Sequence, residues 1–385
     1  MPDGSVWLLG ITASFGNGKQ DVLLLKYNEI GELLLSRTWG GHDEDMPYAA
    51  VGVGEVFYVA GTTKSFGVGN DDIFMLKYSK NGDLAWSRTY GTGDYEWTYD
   101  VSTDINGDVY VCGYWVAYGG NPDVLLAKVD MAGNLLWAKT WGGPGSERVY
   151  GLTVASEAVY VVGYTDSFGA GGEDVLLLKY DASGNVIWSR TWVGSEDDHA
   201  SALCLDKQGN IYVAGGTYSF GAGHQDALIL KYDAEGTLLD CFTWGTTNLD
   251  GFSSTGFNND TKQLYAAGVS GDFLGRKGIL ALWDADLELG YMHAWGGEKA
   301  VASFYATLDD AGNVYCYGVS QNNQGVWQEA SGIIGHPEGI DGEVEGVVND
   351  IVLVEGIPEW VMTTPEGIID TGGGENDVLL LKNFE

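Results

Sequence analysis

The sequence predicts an all-β fold, a β-propeller of four-stranded antiparallel blades, with seven blades favoured and eight as the alternative count. Three observations predict it. The chain of 385 residues repeats itself with a period of 51 or 52 residues. Each period holds four short apolar runs separated by turn residues. Between those runs nothing has the length or spacing of an amphipathic helix, which argues against a parallel solenoid.

The repeat is plainest in DVLLAKVDMAGNLLWAKTW (123–141) and DVLLLKYDASGNVIWSRTW (174–192). The residue that opens this run falls at Asp21, Asp72, Asp123, Asp174 and Asp226, at Gly278 in a decayed copy, and at Asp377. The intervals are 51, 51, 51, 52, 52 and 99 residues, a blade-sized period. In the fifth copy the four runs, lettered A to D, are ASALCLD (200–206), NIYVAGGT (210–217), DALILKY (226–232) and TLLDCFTW (237–244). Short links carry a glycine between A and B and between C and D, where a tight turn needs left-handed backbone. Each copy is therefore an up-and-down meander.

The first copy begins at strand B, and the last strand-like run, Asp377, Val378, Leu379, Leu380, Leu381 and Lys382, is a strand C without a following D. The run VVNDIVLV (347–354) reads as a strand A that completes the first blade, which gives seven blades in a single domain over 1–385. Segment 320–346 has lost the Lys-Tyr and Trp-x-Arg-Thr-Trp features and reads as a degenerate repeat or an insertion. Segment 347–385 reads as a closing or strand-donating terminus.

Composition narrows the function. The 54 acidic and 19 basic residues give a net charge of −35, which repels nucleic acid and anionic membranes. No apolar run approaches the ~20 residues of a membrane span. The opening MPDGSVWLLG has no basic stretch before a long apolar one, so no signal peptide is expected. The cysteines Cys112, Cys204, Cys241 and Cys316 form no CxxC, so free buried thiols are expected rather than a zinc site.

Most of the repeated chemistry reads as scaffold. Lys26, Lys77, Lys128, Lys179 and Lys231 recur in strand C, and Arg37, Arg88, Lys139 and Arg190 in strand D. One fixed place per repeat suits a cation that pairs with a carboxylate inside its blade, with the Asp that opens strand C as a plausible partner or as a cap on the preceding turn. Trp39, Trp141, Trp192, Trp244 and Trp295, with Tyr90, close strand D and are expected to wedge blade against blade. Turns such as DASGN (181–185) lack the full spacing of a calcium loop and suit a glycine-bearing hairpin. The loops differ. The B–C and D–A loops should share one face, and that face is acidic. Asp43, Glu44 and Asp45 in HDED, with Glu196, Asp197 and Asp198 in SEDD, are the candidate ligands for Ca²⁺.

The strand NIYVAGGTYSFGAG (210–223) and the hairpin DVLLLKYDASGNVIWSRTWVG resemble the SBBP-type β-propeller repeat of bacteria and archaea, over residues 5–320 well and 346–383 weakly. The resemblance implies a propeller, commonly in secreted or cell-surface proteins, and no defined activity. The hairpin is also similar to the tryptophan-docking repeat of quinoproteins, yet Asp181, Gly184 and Trp188 are spaced one residue tighter and no adjacent cysteine pair accompanies them. His42, His199, His224, His293 and His336 occupy unrelated repeat positions, and no nucleophile elbow or phosphate loop occurs. The expectation is a non-catalytic extracellular or cell-surface propeller for structure or adhesion that needs no cofactor. It assembles with copies of itself through terminal strand exchange, or meets other surface proteins or glycans. The alternative is a module that binds Ca²⁺ or a glycan on its acidic loop face.

Overall fold

Strand C of every copy is apolar at nearly all positions, because both of its faces meet a neighbouring sheet. In the computed structural model, Val22–Leu25, Ile73–Leu76, Val124–Ala127, Val175–Leu178 and Ala227–Leu230 are all buried. The structure describes residues 5–295, apart from 29–31, 157 and 272–275, and beyond them only the segments 301–308, 314–321, 327–334, 361–363, 369–371 and 379–381.

Five consecutive copies fold as complete four-stranded antiparallel sheets in the order A-B-C-D. Blade 2 comprises Asp45–Val53, Val56–Thr63, Asp72–Ser79 and Leu84–Tyr90. Blade 3 comprises Tyr95–Thr103, Val109–Val116, Asp123–Val129 and Leu135–Trp141. Blade 4 comprises Glu147–Ala155, Ala158–Thr165, Asp174–Asp181 and Val186–Trp192. Blade 5 comprises Asp198–Leu205, Ile211–Thr217, Asp226–Tyr232 and Leu238–Trp244. Blade 6 comprises Leu249–Asn258, Gln263–Gly271, Lys277–Asp284 and Leu289–Trp295.

The strand that completes blade 1 is not the expected run 347–354 but a segment nearer the C-terminus. Blade 1 supplies Val6–Thr12, Asp21–Tyr27 and Leu33–Trp39, and its fourth, innermost strand is Leu379–Leu381. That strand pairs antiparallel with the first, Leu8 opposite Leu381 and Gly10 opposite Leu379. A seventh, three-stranded sheet comprises Val301–Leu308, Val314–Gln321 and Trp327–Ile334. Val361–Thr363 and Ile369–Thr371 form a separate two-stranded ladder. Run 347–354, and Asp377, Val378 and Lys382, lie outside the described residues.

The core sits between the sheets. Trp7, Leu9, Val22 and Leu24 of blade 1 pack with Ala50, Phe57, Val59, Phe74, Leu76 and Tyr78 of blade 2. The Trp7 and Phe57 rings lie 4.4 Å apart. Equivalent clusters fill the next four junctions. Burial of one such aromatic or aliphatic side chain is worth about 1.5–3 kcal/mol, so each junction contributes well over what a lone meander could gather. The tryptophans that close strand D do reach the next blade, though from the half-buried perimeter. Trp39 lies 4.6 Å from Phe74, and Trp192 lies 4.9 Å from Phe220.

The strand-C lysines depart from expectation. Lys77, Lys179 and Lys231 donate to the backbone carbonyls of Met131, Ala234 and Ala285, in the C–D turn of the next blade, at 2.9, 3.0 and 2.5 Å. The same ammonium groups stand over the strand-B rings of Tyr58, Tyr160 and Tyr212. Lys128 takes acidic partners in its own blade, Asp104 at 3.2 Å and Asp108 at 2.9 Å, and Lys231 also lies 3.9 Å from Asp286 in the next blade's turn. The reason is directional: lysine emerges at the far end of strand C from the aspartate, so the nearest acceptor is the neighbour's turn. In those turns Gly133, Gly184 and Gly236 have φ of 85°, 79° and 77°. Asp181 caps its own turn by accepting from the N–H groups of Ser183 and Asn185.

The opening aspartates cap the B–C loop instead. Asp21 Oδ2 accepts from Asn17 N at 2.7 Å, and Asp174 Oδ2 from Ala170 N at 2.8 Å. The B–C loop also bonds the following D–A loop, with Asp45 N donating to Gln20 O and Glu96 N to Asp71 O. These two loop sets thus share a face, as the meander requires.

Candidate functional site at the axial mouth

Strands A of successive blades lie side by side and form the inner wall of the ring. Their residues alternate between buried and half-buried, and the half-buried set faces the axis: Met46 and Tyr48, Trp97 and Tyr99, Arg148 and Tyr150, His199 and Ser201. In blades 2 to 6 strand A breaks register at one place. Pro47 pairs with Gly61 and Ala49 with Ala60, which leaves Tyr48 as an extra, unpaired residue. The same bulge isolates Tyr99, Tyr150, Ser201 and Ser253. A bulge bends the strand and re-aims its side chain. Here it turns tyrosines onto the axis in three consecutive blades.

The bulge explains a glycine in each strand B. A Cβ on Gly113 would stand 1.8 Å from the Trp97 carbonyl oxygen, and one on Gly163 would stand 1.8 Å from that of Arg148. The strand-A carbonyl before the bulge dips onto the glycine, so no side chain fits there.

The result is a continuous aromatic surface. Tyr48 lies 5.3 Å from Tyr99, Tyr99 4.9 Å from Tyr150, Tyr150 6.1 Å from Tyr164, and Tyr164 5.1 Å from His199. Trp97 stacks on Tyr114 at 6.0 Å, and the Arg148 guanidinium lies 4.8 Å from the centre of the Tyr114 ring. Burial pushes the phenols of Tyr48, Tyr99, Tyr150 and Tyr164 up, so they stay neutral hydrogen-bonding groups. Charged groups ring the mouth. Lys64 pairs with Glu44 at 2.5 Å, and His199 Nε2 contacts Glu173 Oε2. A recess of about 10 Å³, room for about one water, opens among Glu44, Met46, Tyr48, Thr62, Lys64, Asp71 and Trp97.

The loop acids named as cation ligands are placed as follows. Asp43 pairs with Lys19 at 2.9 Å. Asp45 is fully buried and accepts from Thr63 Oγ1, from Ser65 Oγ at 2.7 Å and from Gly41 N at 2.6 Å. Asp198 is buried and accepts from Ser219 Oγ at 2.8 Å, while Asp197 accepts from Glu173 N at 2.9 Å. Glu196 is exposed. Among the described residues no three acidic, histidine or cysteine side chains converge to hold a metal ion. Cys112 is buried and Cys204 partly so, but Cys241 is exposed, because strand D is the outer edge of its blade.

The mouth was written in the sequence at the repeat interval and passed over. Tyr48, Tyr99 and Tyr150 recur every 51 residues. Met46, Trp97, Arg148 and His199 share one repeat position and differ in every blade. A search for repeated residues sees the first set and discards the second.

No family model matches the chain. One curated relative, the regulatory protein FlaEY of Caulobacter vibrioides, is 29% identical over 176 residues, 41% of this chain and 18% of that protein. The match therefore spans under a fifth of the relative's length. Among solved structures, the periplasmic gluconolactonase PpgL of Pseudomonas aeruginosa aligns with a TM-score of 0.55 at 11% identity, over 86% of this chain and 99% of that one. The β-propeller domain of the trilobed protease from Pyrococcus furiosus aligns with a TM-score of 0.52 at 9% identity, over 86% and 91%. The fold is a β-propeller. A putative 6-phosphogluconolactonase from Bacteroides uniformis is similar in the same way, with a TM-score of 0.53 at 12% identity over 85% and 95%. At these identities the likeness carries the propeller architecture and nothing of the chemistry.

Proposed function

We propose that this propeller is a binding module that takes a carbohydrate across its axial mouth. One observation carries the reading. In blades that otherwise repeat their Asp, Lys and Trp positions, the wall position before the bulge holds Met46, Trp97, Arg148 and His199 in turn. The scaffold does not dictate that position, so it is free to serve a ligand. Bulged tyrosines beside it offer ring faces to the C–H side of a sugar and hydroxyls to its polar edge. The recess between blades 2 and 3 has room for about one water, which supports a ligand lying across the mouth. This reading sets the protein at the cell exterior, where such ligands are met.

Calorimetry against a panel of neutral and acidic oligosaccharides tests the proposal. Wild-type protein is expected to bind at least one, and Trp97→Ala and Tyr99→Ala to weaken that binding tenfold or more with the fold intact by circular dichroism. Binding that survives both substitutions places the ligand elsewhere. A Ca²⁺ titration in the same instrument tests the loop acids.

Terminal strand exchange is the second reading. Among the described residues, the inner edge of blade 1 is covered by the pairs Leu8–Leu381, Leu9–Leu380 and Gly10–Leu379, contributed by a segment near the C-terminus. A covering strand from a chain end can be exchanged for the same strand of another copy, and head-to-tail exchange builds open filaments.

A further inference from the structure

We infer that the ligand of the axial mouth carries a carboxylate and that Arg148 reads it. The inference rests on the binding reading above and adds the chemical class of the sugar.

Arg148 is anomalous for its surroundings. The chain has 54 acidic residues and 19 basic ones, so a half-buried guanidinium should find an acid easily. Among the described residues no carboxylate stands within ion-pair distance of it, and its Nε is enclosed without a hydrogen-bond partner. Tyr114 lies under the guanidinium plane. Glu173, the acid that faces the same tyrosines, is occupied by His199. Arg190 and Lys128, packed into neighbouring blades, are matched. Arg190 Nε donates to Gly236 O at 2.7 Å and Nη2 to Glu235 O at 2.9 Å, and Lys128 lies between Asp104 and Asp108.

A half-buried cation with no anion beside it costs stability. The blade does not require one, since the same position holds methionine in blade 2, tryptophan in blade 3 and histidine in blade 5. A cost borne where the scaffold asks for nothing is a mark of function. The partner the site lacks is an anion, and guanidinium matches a carboxylate in planar, two-toothed fashion. Against a protein of net charge −35, a singly charged carboxylate meets less repulsion than a doubly charged phosphate, and its planar fork matches guanidinium better than a tetrahedral sulfate does. The ligand class is therefore a uronic-acid glycan.

Capping the charge of one sugar provides the test. Oligogalacturonate and oligoalginate are titrated against their methyl esters, with phosphorylated and sulfated oligosaccharides alongside. A uronate is expected to bind at least tenfold more tightly than its ester at low salt. Arg148→Met, which copies blade 2, should abolish that preference without lowering Tm, and Arg148→Lys should retain part of it. Equal affinity for acid and ester overturns the charge reading and leaves the mouth as a neutral-sugar site. Preference for the phosphorylated or sulfated probe overturns the carboxylate class. A preference undiminished in Arg148→Met removes the role from this residue. If no probe binds the folded wild type, the carbohydrate reading falls as well.

Discussion

Asp72 Oδ1 and Glu96 Oε2 converge on one point, 1.8 and 2.8 Å from where a Cβ on Gly91 would sit, and both side chains are buried. Asp72 opens strand C of blade 2, and Glu96 sits near the start of strand A of blade 3. The same convergence joins Asp123 to Glu147 at Gly142, with distances of 1.9 and 2.6 Å. Asp72 Oδ1 has no hydrogen-bond partner, while Glu96 accepts from Thr92 N and Thr92 Oγ1. The negative charge of Asp72 beside it makes the Glu96 carboxyl hold its proton more tightly.

That relationship sets the direction of pH dependence. Burial, with Asp72 and Asp94 nearby, raises the Glu96 carboxyl above its ordinary range, and burial with Glu147 nearby raises Asp123. A carboxyl raised in the folded state contributes stability that is fully present below its unfolded pKa of roughly 4 and is lost as pH rises through the folded value. The turn acids Asp130, Asp181 and Asp233 are lowered by bonds from their own turns, so their contribution is lost only as pH falls below the ordinary carboxylate range. Thermal stability is therefore expected to peak on the acid side of neutrality and to fall from pH 5 to pH 8. Asp72→Asn, whose amide can donate to Glu96, should raise Tm at pH 8 and flatten the curve in scanning calorimetry. High salt, which screens surface repulsion, should leave the buried component in place. A Tm that peaks above pH 7 and ignores Asp72→Asn would contradict the raised Glu96 carboxyl.

Gly163→Ala sets a methyl group on the Arg148 carbonyl oxygen, 1.8 Å from the ideal Cβ position. We expect a loss of about 1–3 kcal/mol in chemical denaturation, typical of overpacking. The bulge that aims Tyr150 should open with it, so ligand binding should fall by more than the stability loss explains. Wild-type stability in the variant would show that the bulge yields at no cost.

Lys179 and Lys207 contrast a cation built into a junction with one at the surface. Lys179 donates to Ala234 O and covers the ring of Tyr160, whereas Lys207 lies 3.7 Å from the exposed Asp260. Lys179→Met should cost about 1–2 kcal/mol through the stranded carbonyl and the lost ring contact. Lys207→Met should stay within about 0.5 kcal/mol of wild type. Equal effects in paired urea melts would remove the junction role of the strand-C lysines.

Native thiol reactivity should be uneven. Cys241 is exposed, while burial pushes the Cys204 thiol up to about 12 and Cys112 is enclosed. An aromatic disulfide reagent should label Cys241 rapidly, and Cys241→Ser should remove that fast phase. Cys112 and Cys204 should react only on unfolding. Rapid labelling of either in the native protein would show that its blade opens.

Deletion of 359–385 separates the two ways of using the last strand. The truncated chain should remain folded and monomeric, with a lower Tm from the uncovered edge of blade 1. If full-length protein forms filaments under the electron microscope, the truncated chain should not. Filaments from the truncated chain would exclude strand exchange.

The sequence by itself determined the blade. Alternation, turn glycines and the 51-residue period placed strands A to D of the fifth copy within two residues of their observed ends, and marked the turn that Asp181 caps. These are local properties, set by backbone geometry and by which face of a strand must leave water. Only the tertiary structure decided what each side chain meets across a junction. Lys179 finds a carbonyl some 55 positions on, Asp72 finds Glu96, and Tyr99 is turned by a bulge toward Tyr150. Such contacts depend on how one sheet is rotated against the next, and the repeat pattern within a single blade does not encode that rotation.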